Sequence, residues 1–95
     1  MEKVHIQYFG TIRAAAQKSE DRIAGDTTVL QLLQKLAGDY GDGFREEVLA
    51  GDGDKIRDDI TVTINGTIIS HEVVDGVHLR PGDSLALLPL FPGGG

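Results

Sequence analysis

The chain has 95 residues, of which 40% are hydrophobic and 25% are charged, and it contains no cysteine. A single ordinary globular domain has this length and composition, and the lack of cysteine excludes a disulfide framework, a thiolate nucleophile and a cysteine-based metal site. Nine basic residues against fifteen acidic ones give a formal net charge of −6, which argues against nucleic acid as a partner, because phosphates repel an acidic surface.

A β-strand is the first predicted element. Apolar and polar residues alternate through Lys3–Phe9, which is the period of a strand with one buried face. His5 and Gln7 lie on the polar side of this strand. Phe9 falls on that side as well; it either turns into the core at the strand end or stays exposed as an anchor for a partner, and we favour the exposed position.

A short helix and a second strand are predicted next. Gly10 ends the first strand, and Thr11 is the candidate cap of a helix over Ile12–Gln17. The weakly patterned segment Ser19–Ala24 is predicted to form a strand that pairs with the first one.

An α-helix that begins after Thr28 is the clearest element. Thr28 and Gln31 have the spacing of a capping box, and Gly38 marks the expected end of the helix. Six apolar residues recur at helical spacing and share one face: Val29, Leu32, Leu33, Leu36, Ala37 and Tyr40. This helix is expected to be the main layer over the sheet.

The segment from Asp39 to Asp59 is acidic and rich in glycine, and a short helix is predicted within it over Phe44–Leu49. Its aspartates suggest a calcium loop. An EF-hand loop, however, needs an oxygen ligand where Ile56 stands and a glycine where Arg57 stands. A solvated loop is therefore the better interpretation, and no metal site is predicted; the histidines lack metal-ligand spacing on one element as well.

Two turns organise the C-terminal half of the chain. Asn65-Gly66 is a strong signal for a two-residue hairpin between strands over Asp59–Ile64 and Thr67–Ile69. Pro81-Gly82 suits a type II turn. The final strand, Ser84–Leu88, is almost wholly apolar, which predicts a place in the middle of the sheet.

Together these elements predict an α+β domain over residues 1–88, with a mixed sheet packed on one main helix. The other face of the sheet is then open. It is expected to carry His5, Gln7 and Phe9 and to bind a partner protein.

Residues 89–95 are predicted to form a separate, flexible tail. Seven extended residues reach about 23–25 Å at ~3.3–3.6 Å per residue, and a partner can close around glycine because glycine has no side chain. The segment Pro89–Pro92 is apolar and stiff, unlike a Gly/Ser linker. A partner is therefore expected to recognise Pro89, Leu90, Phe91, Pro92 and Gly93, although an inert chain end is the alternative.

In this order the features resemble the ubiquitin-like β-grasp sulfur carriers, which include the small subunit of molybdopterin synthase, the thiazole-synthesis sulfur carrier and the archaeal small modifier proteins. The resemblance covers nearly the whole chain and ends on the glycine pair Gly93-Gly94. Two departures stand out. Molybdopterin small subunits usually show Pro-Pro before the diglycine, where this chain has Pro89-Leu90-Phe91-Pro92. One further glycine follows, so that either Gly95 is the reactive end or its removal exposes Gly94.

The resemblance implies a carrier with no catalytic residue, metal or cofactor of its own. It implies that an E1-like adenylating enzyme uses ATP and Mg²⁺ to convert the carboxylate of Gly94 or Gly95 into an acyl-adenylate. A sulfur donor then displaces AMP and leaves a thiocarboxylate. In molybdopterin biosynthesis the large catalytic subunit of molybdopterin synthase would receive this sulfur, and a heterotetramer is one assembly that the resemblance allows.

Three alternatives stay open. The activated tail could acylate lysines of other proteins, as a ubiquitin-like modifier does, or it could supply sulfur for thiazole synthesis. In the third alternative the chain is a plain binding module and its tail is inert. The sequence shows no signal-peptide pattern and no apolar run of about 20 residues. We therefore expect a cytoplasmic protein that binds neither membrane nor nucleic acid.

Overall fold

The computed structural model describes residues 3–89, in which strands and helices follow one another as an α+β domain requires. The strands are β1 (Lys3–Tyr8), β2 (Glu20–Ala24), β3 (Thr27–Thr28), β4 (Leu49–Ala50), β5 (Lys55–Ile56), β6 (Ile60–Ile64), β7 (Thr67–Ile68), β8 (His78–Leu79) and β9 (Ser84–Pro89). The helices are α1 (Gly10–Ala16), α2 (Val29–Tyr40) and α3 (Asp42–Val48), and a 3₁₀ turn covers Val74–Gly76.

The main sheet has the strand order β2-β1-β9-β6-β7. β9 is its central strand, as the apolar sequence predicts, and it runs parallel to β1 and antiparallel to β6. β2 pairs antiparallel with β1, which confirms the predicted second strand. Asn65 and Gly66 have φ values of 53° and 86°, as the predicted two-residue hairpin between β6 and β7 requires.

One face of this sheet packs against the helices in a single apolar core. Alternate residues of the strands supply that face, and five of the six apolar residues predicted for α2 are fully buried against it. Among the described residues, no polar or charged residue is fully buried. Hydrophobic burial is therefore the main force that holds the helices on the sheet.

The capping box at the start of α2 is confirmed, whereas the predicted helix end is wrong. Thr28 Oγ1 accepts a hydrogen bond from the Gln31 N–H at 3.2 Å, and Gln31 Oε1 accepts one from the Thr28 N–H at 3.3 Å. The helix continues through Gly38 to Tyr40, whose ring packs edge-to-face on the Tyr8 ring of β1, with 6.4 Å between the ring centroids. This tertiary contact offsets the cost of about 1 kcal/mol for a glycine inside a helix.

The predicted cap at Thr11 is wrong as well. α1 begins at Gly10, and its N-cap, Phe9, has no side-chain capping hydrogen bond. Thr11 Oγ1 instead donates to Glu47 Oε2 on α3 at 3.0 Å. The Thr11 hydroxyl thus binds a residue on another helix, although the local sequence predicts that it caps α1.

Two small antiparallel pairs, β3–β8 and β4–β5, have no sequence signal, because a strand of two residues is too short to show alternation. The predicted turn at Pro81-Gly82 is present, since the Asp83 N–H donates to the Arg80 carbonyl at 3.0 Å. Within residues 3–89, no helix is long and apolar enough to cross a membrane.

Pro89 is the last residue of β9 and lies opposite Ile60, although the sequence assigns it to the tail. The other predicted tail residues, Leu90, Phe91, Pro92, Gly93, Gly94 and Gly95, lie outside the described residues.

Candidate docking face and C-terminal reactive end

One face of the main sheet points away from the helices, and none of its described residues is fully buried. We call it the open face. Strand register and alternation place these residues on it: Lys3, His5, Gln7, Glu20, Arg22, Ala24, Thr61, Thr63, Ile68, Ser84, Ala86 and Leu88. The open face is thus built from the same strands as the core.

The half of the open face that lies on β9, β6 and β7 carries its larger apolar side chains, with polar residues between them. Gln7, Ala86 and Thr63 are neighbours in one row across the strands, and Ile68 follows Thr63 on β7. Ile68 is 71% exposed, and Leu88 is half-buried one step further along β9. Exposed apolar residues framed by polar ones are typical of protein-docking surfaces.

The half on β1 and β2 is polar. His5 Nε2 lies 2.7 Å from Glu20 Oε1, and Arg22 is the register partner of His5. The structure therefore places His5 and Gln7 together on the open face, where the sequence predicts them.

The sequence does not identify Ile68, Ala86 and Leu88 as surface residues. The apolar run of β9 predicts its central place but does not distinguish its two faces, of which only the one with Leu85 and Leu87 is fully buried. Ala86 and Leu88 alternate with these two leucines and therefore lie on the opposite face of β9. Only the pairing with the neighbouring strands shows that this is the open face.

Phe9 lies just beyond the end of β1. Its side chain is 41% exposed, as predicted, and its backbone N–H donates to the Leu87 carbonyl at 3.1 Å. This hydrogen bond places Phe9 beside the last residues of β9, close to the point where the chain continues toward its C-terminus.

A charged groove borders Pro89. Its lining residues are Thr11, Glu46, Glu47, Arg57, Asp59, Ile60 and Pro89. The Arg57 guanidinium donates to both carboxylate oxygens of Asp59, at 2.8 and 2.5 Å, and to the Glu46 carbonyl at 2.8 Å. These hydrogen bonds from Arg57 lower the pKa of Asp59, so that this pair is ionised at neutral pH and the two glutamates leave the groove acidic.

Polar side chains also meet on the core side of β1. The hydroxyls of Tyr8 and Tyr40 both donate to the Asp21 carboxylate, the former at 3.3 Å. Burial raises the pKa of Tyr8, and the neighbouring Tyr40 and Asp21 add to the shift. Because each of these groups has a protein partner, the cluster has a structural explanation in the packing of α2 on the sheet.

Each of the three histidines contacts a different partner residue. His5 contacts Glu20, His71 Nε2 lies 2.9 Å from the Ile60 carbonyl, and His78 Nε2 lies 2.6 Å from Asp26 Oδ1. Across residues 3–89, no group of three or more histidine, aspartate or glutamate side chains is arranged to hold a metal ion.

A comparison with protein families gives a match to the ThiS family model over residues 6–94. Among curated protein sequences, none matches this chain significantly.

Several solved structures are similar to this chain. Small archaeal modifier protein 1 (SAMP1) from Haloferax volcanii is 29% identical, with a TM-score of 0.76 over 97% of this chain and 99% of that one. Urm1 from Trypanosoma brucei has a TM-score of 0.78 at 18% identity, over 98% and 96% of the two chains. A putative molybdopterin converting factor, subunit 1, from Pyrococcus furiosus has a TM-score of 0.69 at 24% identity, over 98% and 100%. The last two likenesses concern the fold alone, and together the three confirm the predicted ubiquitin-like β-grasp fold.

Proposed function

The chain belongs to the ThiS family, and from that premise we propose that it carries sulfur as a thiocarboxylate on its C-terminal glycine, Gly94 or Gly95. The observation that supports this most directly is the extent of the family match, which runs to residue 94 and so includes Gly93 and Gly94. A match confined to the folded domain would support the fold without the reactive end.

The chemistry needs two steps. A free carboxylate is a poor electrophile, so an E1-like partner first joins it to the α-phosphate of Mg²⁺-bound ATP and releases pyrophosphate. Hydrosulfide from a sulfur donor then attacks the acyl carbon, the bond to AMP breaks, and loss of the proton from sulfur leaves a terminal thiocarboxylate. This chain supplies the acyl group, and the partner supplies the catalytic residues.

The open face is the surface that we assign to the partner. The apolar side chains of Ile68 and Leu88 provide area for burial, while His5, Gln7 and Arg22 provide a polar border. Phe9 lies beside the end of β9, and a partner that covers it holds the domain close to the start of the tail. Docking of this face then brings the terminal carboxylate into the partner's active site as an effectively intramolecular reactant.

As the acceptor of the sulfur we propose a molybdopterin precursor, held by the large catalytic subunit of molybdopterin synthase. The test is the intact mass of the full chain after incubation with an adenylating enzyme, ATP, Mg²⁺ and a sulfur donor, followed by addition of the large subunit and precursor. The expected mass change replaces one oxygen by sulfur and is reversed by the acceptor. An unchanged mass with an adenylating enzyme that is active on a known carrier would contradict the proposal.

A second candidate is a ubiquitin-like modifier, and the 29% identity to a small archaeal modifier protein favours it specifically. In that role a lysine amine attacks the activated acyl carbon and forms an isopeptide bond. The expected observation in cells is a ladder of higher-mass conjugates that disappears when Gly94 and Gly95 are deleted. Delivery of sulfur to a thiazole precursor is the third candidate, and the identity of the acceptor that reverses the mass change distinguishes it from the first.

A further inference from the structure

Gly10 and Pro89 are in direct contact. Gly10 has a φ of +56°, and a Cβ atom added to it would lie 2.5 Å from Cγ and 3.2 Å from Cδ of Pro89. Packed atoms do not approach one another so closely. The backbone of the first residue of α1 therefore rests on the proline ring, and only glycine leaves room for it.

Pro89 is bordered on both sides. On one side Ile60 of β6 is its register partner. On the other side β1 has already ended, because Tyr8 pairs with Leu87 and the chain turns after Phe9 into α1. Gly10, the first residue of α1, lies against the Pro89 ring on this side. Proline suits this place, since it has no backbone N–H that would need a strand partner there.

The position of Pro89 matters because six residues follow it. Six extended residues span about 20 Å, so a tilt of about 15° at Pro89 displaces the far end of the segment by about 5 Å. When a partner holds both the open face and the terminal carboxylate, only this short segment can compensate for such a displacement. In a reaction that depends on positioning, a misplacement of about 1 Å can cost about 100-fold in rate.

We propose that the contact between Gly10 and Pro89 positions the C-terminal tail for activation. Gly10 of α1 packs on the proline ring and Ile60 pairs with Pro89 across the strands. These two neighbours of Pro89 thereby determine the direction in which the chain leaves the sheet toward the partner's adenylation site. Gly10 is in this sense a positioning residue that acts through Pro89. The inference rests on the proposed activation of the terminal glycine and adds to it a structural element that aims the tail.

The test uses the full chain with its adenylating enzyme and measures ATP–pyrophosphate exchange as a function of carrier concentration. The variants are Gly10→Ala, Pro89→Ala, the double variant, and Gly38→Ala as the matched control. Gly38 lies inside α2, where an added Cβ has no atom within 4 Å. Melting temperatures are measured for all variants, and kinetics are recorded where each variant is folded.

We expect Gly10→Ala to lower kcat/KM about tenfold, while Gly38→Ala has wild-type kinetics. The double variant should match Pro89→Ala, because alanine at position 89 has neither Cγ nor Cδ to collide with the new methyl group. Its melting temperature should nevertheless stay low, since the positive φ still strains alanine at position 10. Kinetics equal to those of Pro89→Ala, at a melting temperature below that of Pro89→Ala, separate positioning from a purely structural role.

Wild-type kinetics for Gly10→Ala, or a double variant that falls below Pro89→Ala, would overturn the positioning role alone. No exchange by the wild-type chain would overturn it together with the proposed function. If Gly10→Ala does not fold, Pro89→Ala decides: a several-fold lower kcat/KM at an unchanged melting temperature supports the role, and wild-type kinetics overturn it.

Discussion

The core face and the open face of the main sheet are made by the same strands, yet they differ in what they contribute. On β9, Leu85 and Leu87 are fully buried beneath the helices, whereas Ala86 and Leu88, which alternate with them, are only half-buried. Residues on the core face hold the fold together, and residues on the open face can vary with little effect on it. Substitutions on the core face are therefore expected to lower stability, and substitutions on the open face to weaken partner binding.

The largest effect on stability is expected from Leu33→Ala on the core side. Leu33 is fully buried in α2, and its truncation removes apolar contacts and leaves a cavity, at a cost of about 2–5 kcal/mol in the free energy of unfolding. Urea denaturation measures it. Lys35→Ala on the exposed side of the same helix is the control, with an expected change within about 0.5 kcal/mol. Equal effects of the two substitutions would contradict the assignment of the buried side of α2.

The core face should also be sensitive to alkaline pH through Tyr8. Burial raises the pKa of this phenol, while in the unfolded chain it titrates near its ordinary value of about 10. Above that pH the unfolded state binds fewer protons than the folded state, so the free energy of unfolding falls as pH rises, by up to about 1.4 kcal/mol per pH unit for this group. The contribution is fully present below about pH 10 and is lost as pH rises toward the folded-state pKa.

Tyr8→Phe removes this titration, so its unfolding free energy should fall less steeply with pH than that of the wild-type chain. Urea denaturation at several values above about pH 10 measures both slopes. Tyr40, whose pKa is raised by burial as well, leaves a residual slope in the variant. Identical slopes would show that Tyr8 does not carry the dependence.

A smaller effect is expected where α2 begins. Thr28→Ala removes the acceptor for the Gln31 N–H and should lower the free energy of unfolding by about 1 kcal/mol. Thr28→Ser retains the hydroxyl and serves as the control. Equal destabilisation by alanine and serine would mean that the capping hydrogen bond contributes little.

The smallest effect on stability, combined with a clear effect on function, is expected on the open face. Ile68 and Val73 are both exposed, at 71% and 58%, but only Ile68 belongs to the main sheet. Ile68→Glu and Val73→Glu should each change stability by no more than about 0.5 kcal/mol. Adenylation by the partner enzyme should fall about tenfold for Ile68→Glu alone, as expected for a buried apolar interface residue. Equal loss in both variants, or in neither, would place the docking surface elsewhere.

Local sequence predicted the longer elements because each has enough residues to show its period. The helix at Thr28 has six apolar positions and a capping box, and the first strand shows its alternation over six residues. The errors occurred where tertiary contacts overrode a local signal. Tyr40 packs on Tyr8 and so extends α2 past Gly38, and Glu47 accepts the hydrogen bond from the Thr11 hydroxyl. The two-residue strands have no period to detect.

The candidate site divides in the same way. His5, Gln7 and Phe9 were predicted from the sequence because they lie on the outward side of an alternating strand. The terminal glycines were predicted because their proposed role is chemical and does not depend on the fold. Ile68, Ala86 and Leu88 join the open face only through the register of β9 with β6 and of β6 with β7.

By itself the sequence determined the type of each long element, the absence of thiol chemistry and the presence of a diglycine near its end, because these are properties of residues close together in the chain. Only the tertiary structure decided which strands lie beside the central one, which apolar side chains stay exposed, and that Gly10 meets Pro89. Those facts depend on contacts between residues as far apart as the two ends of the domain, and no local period encodes such a contact.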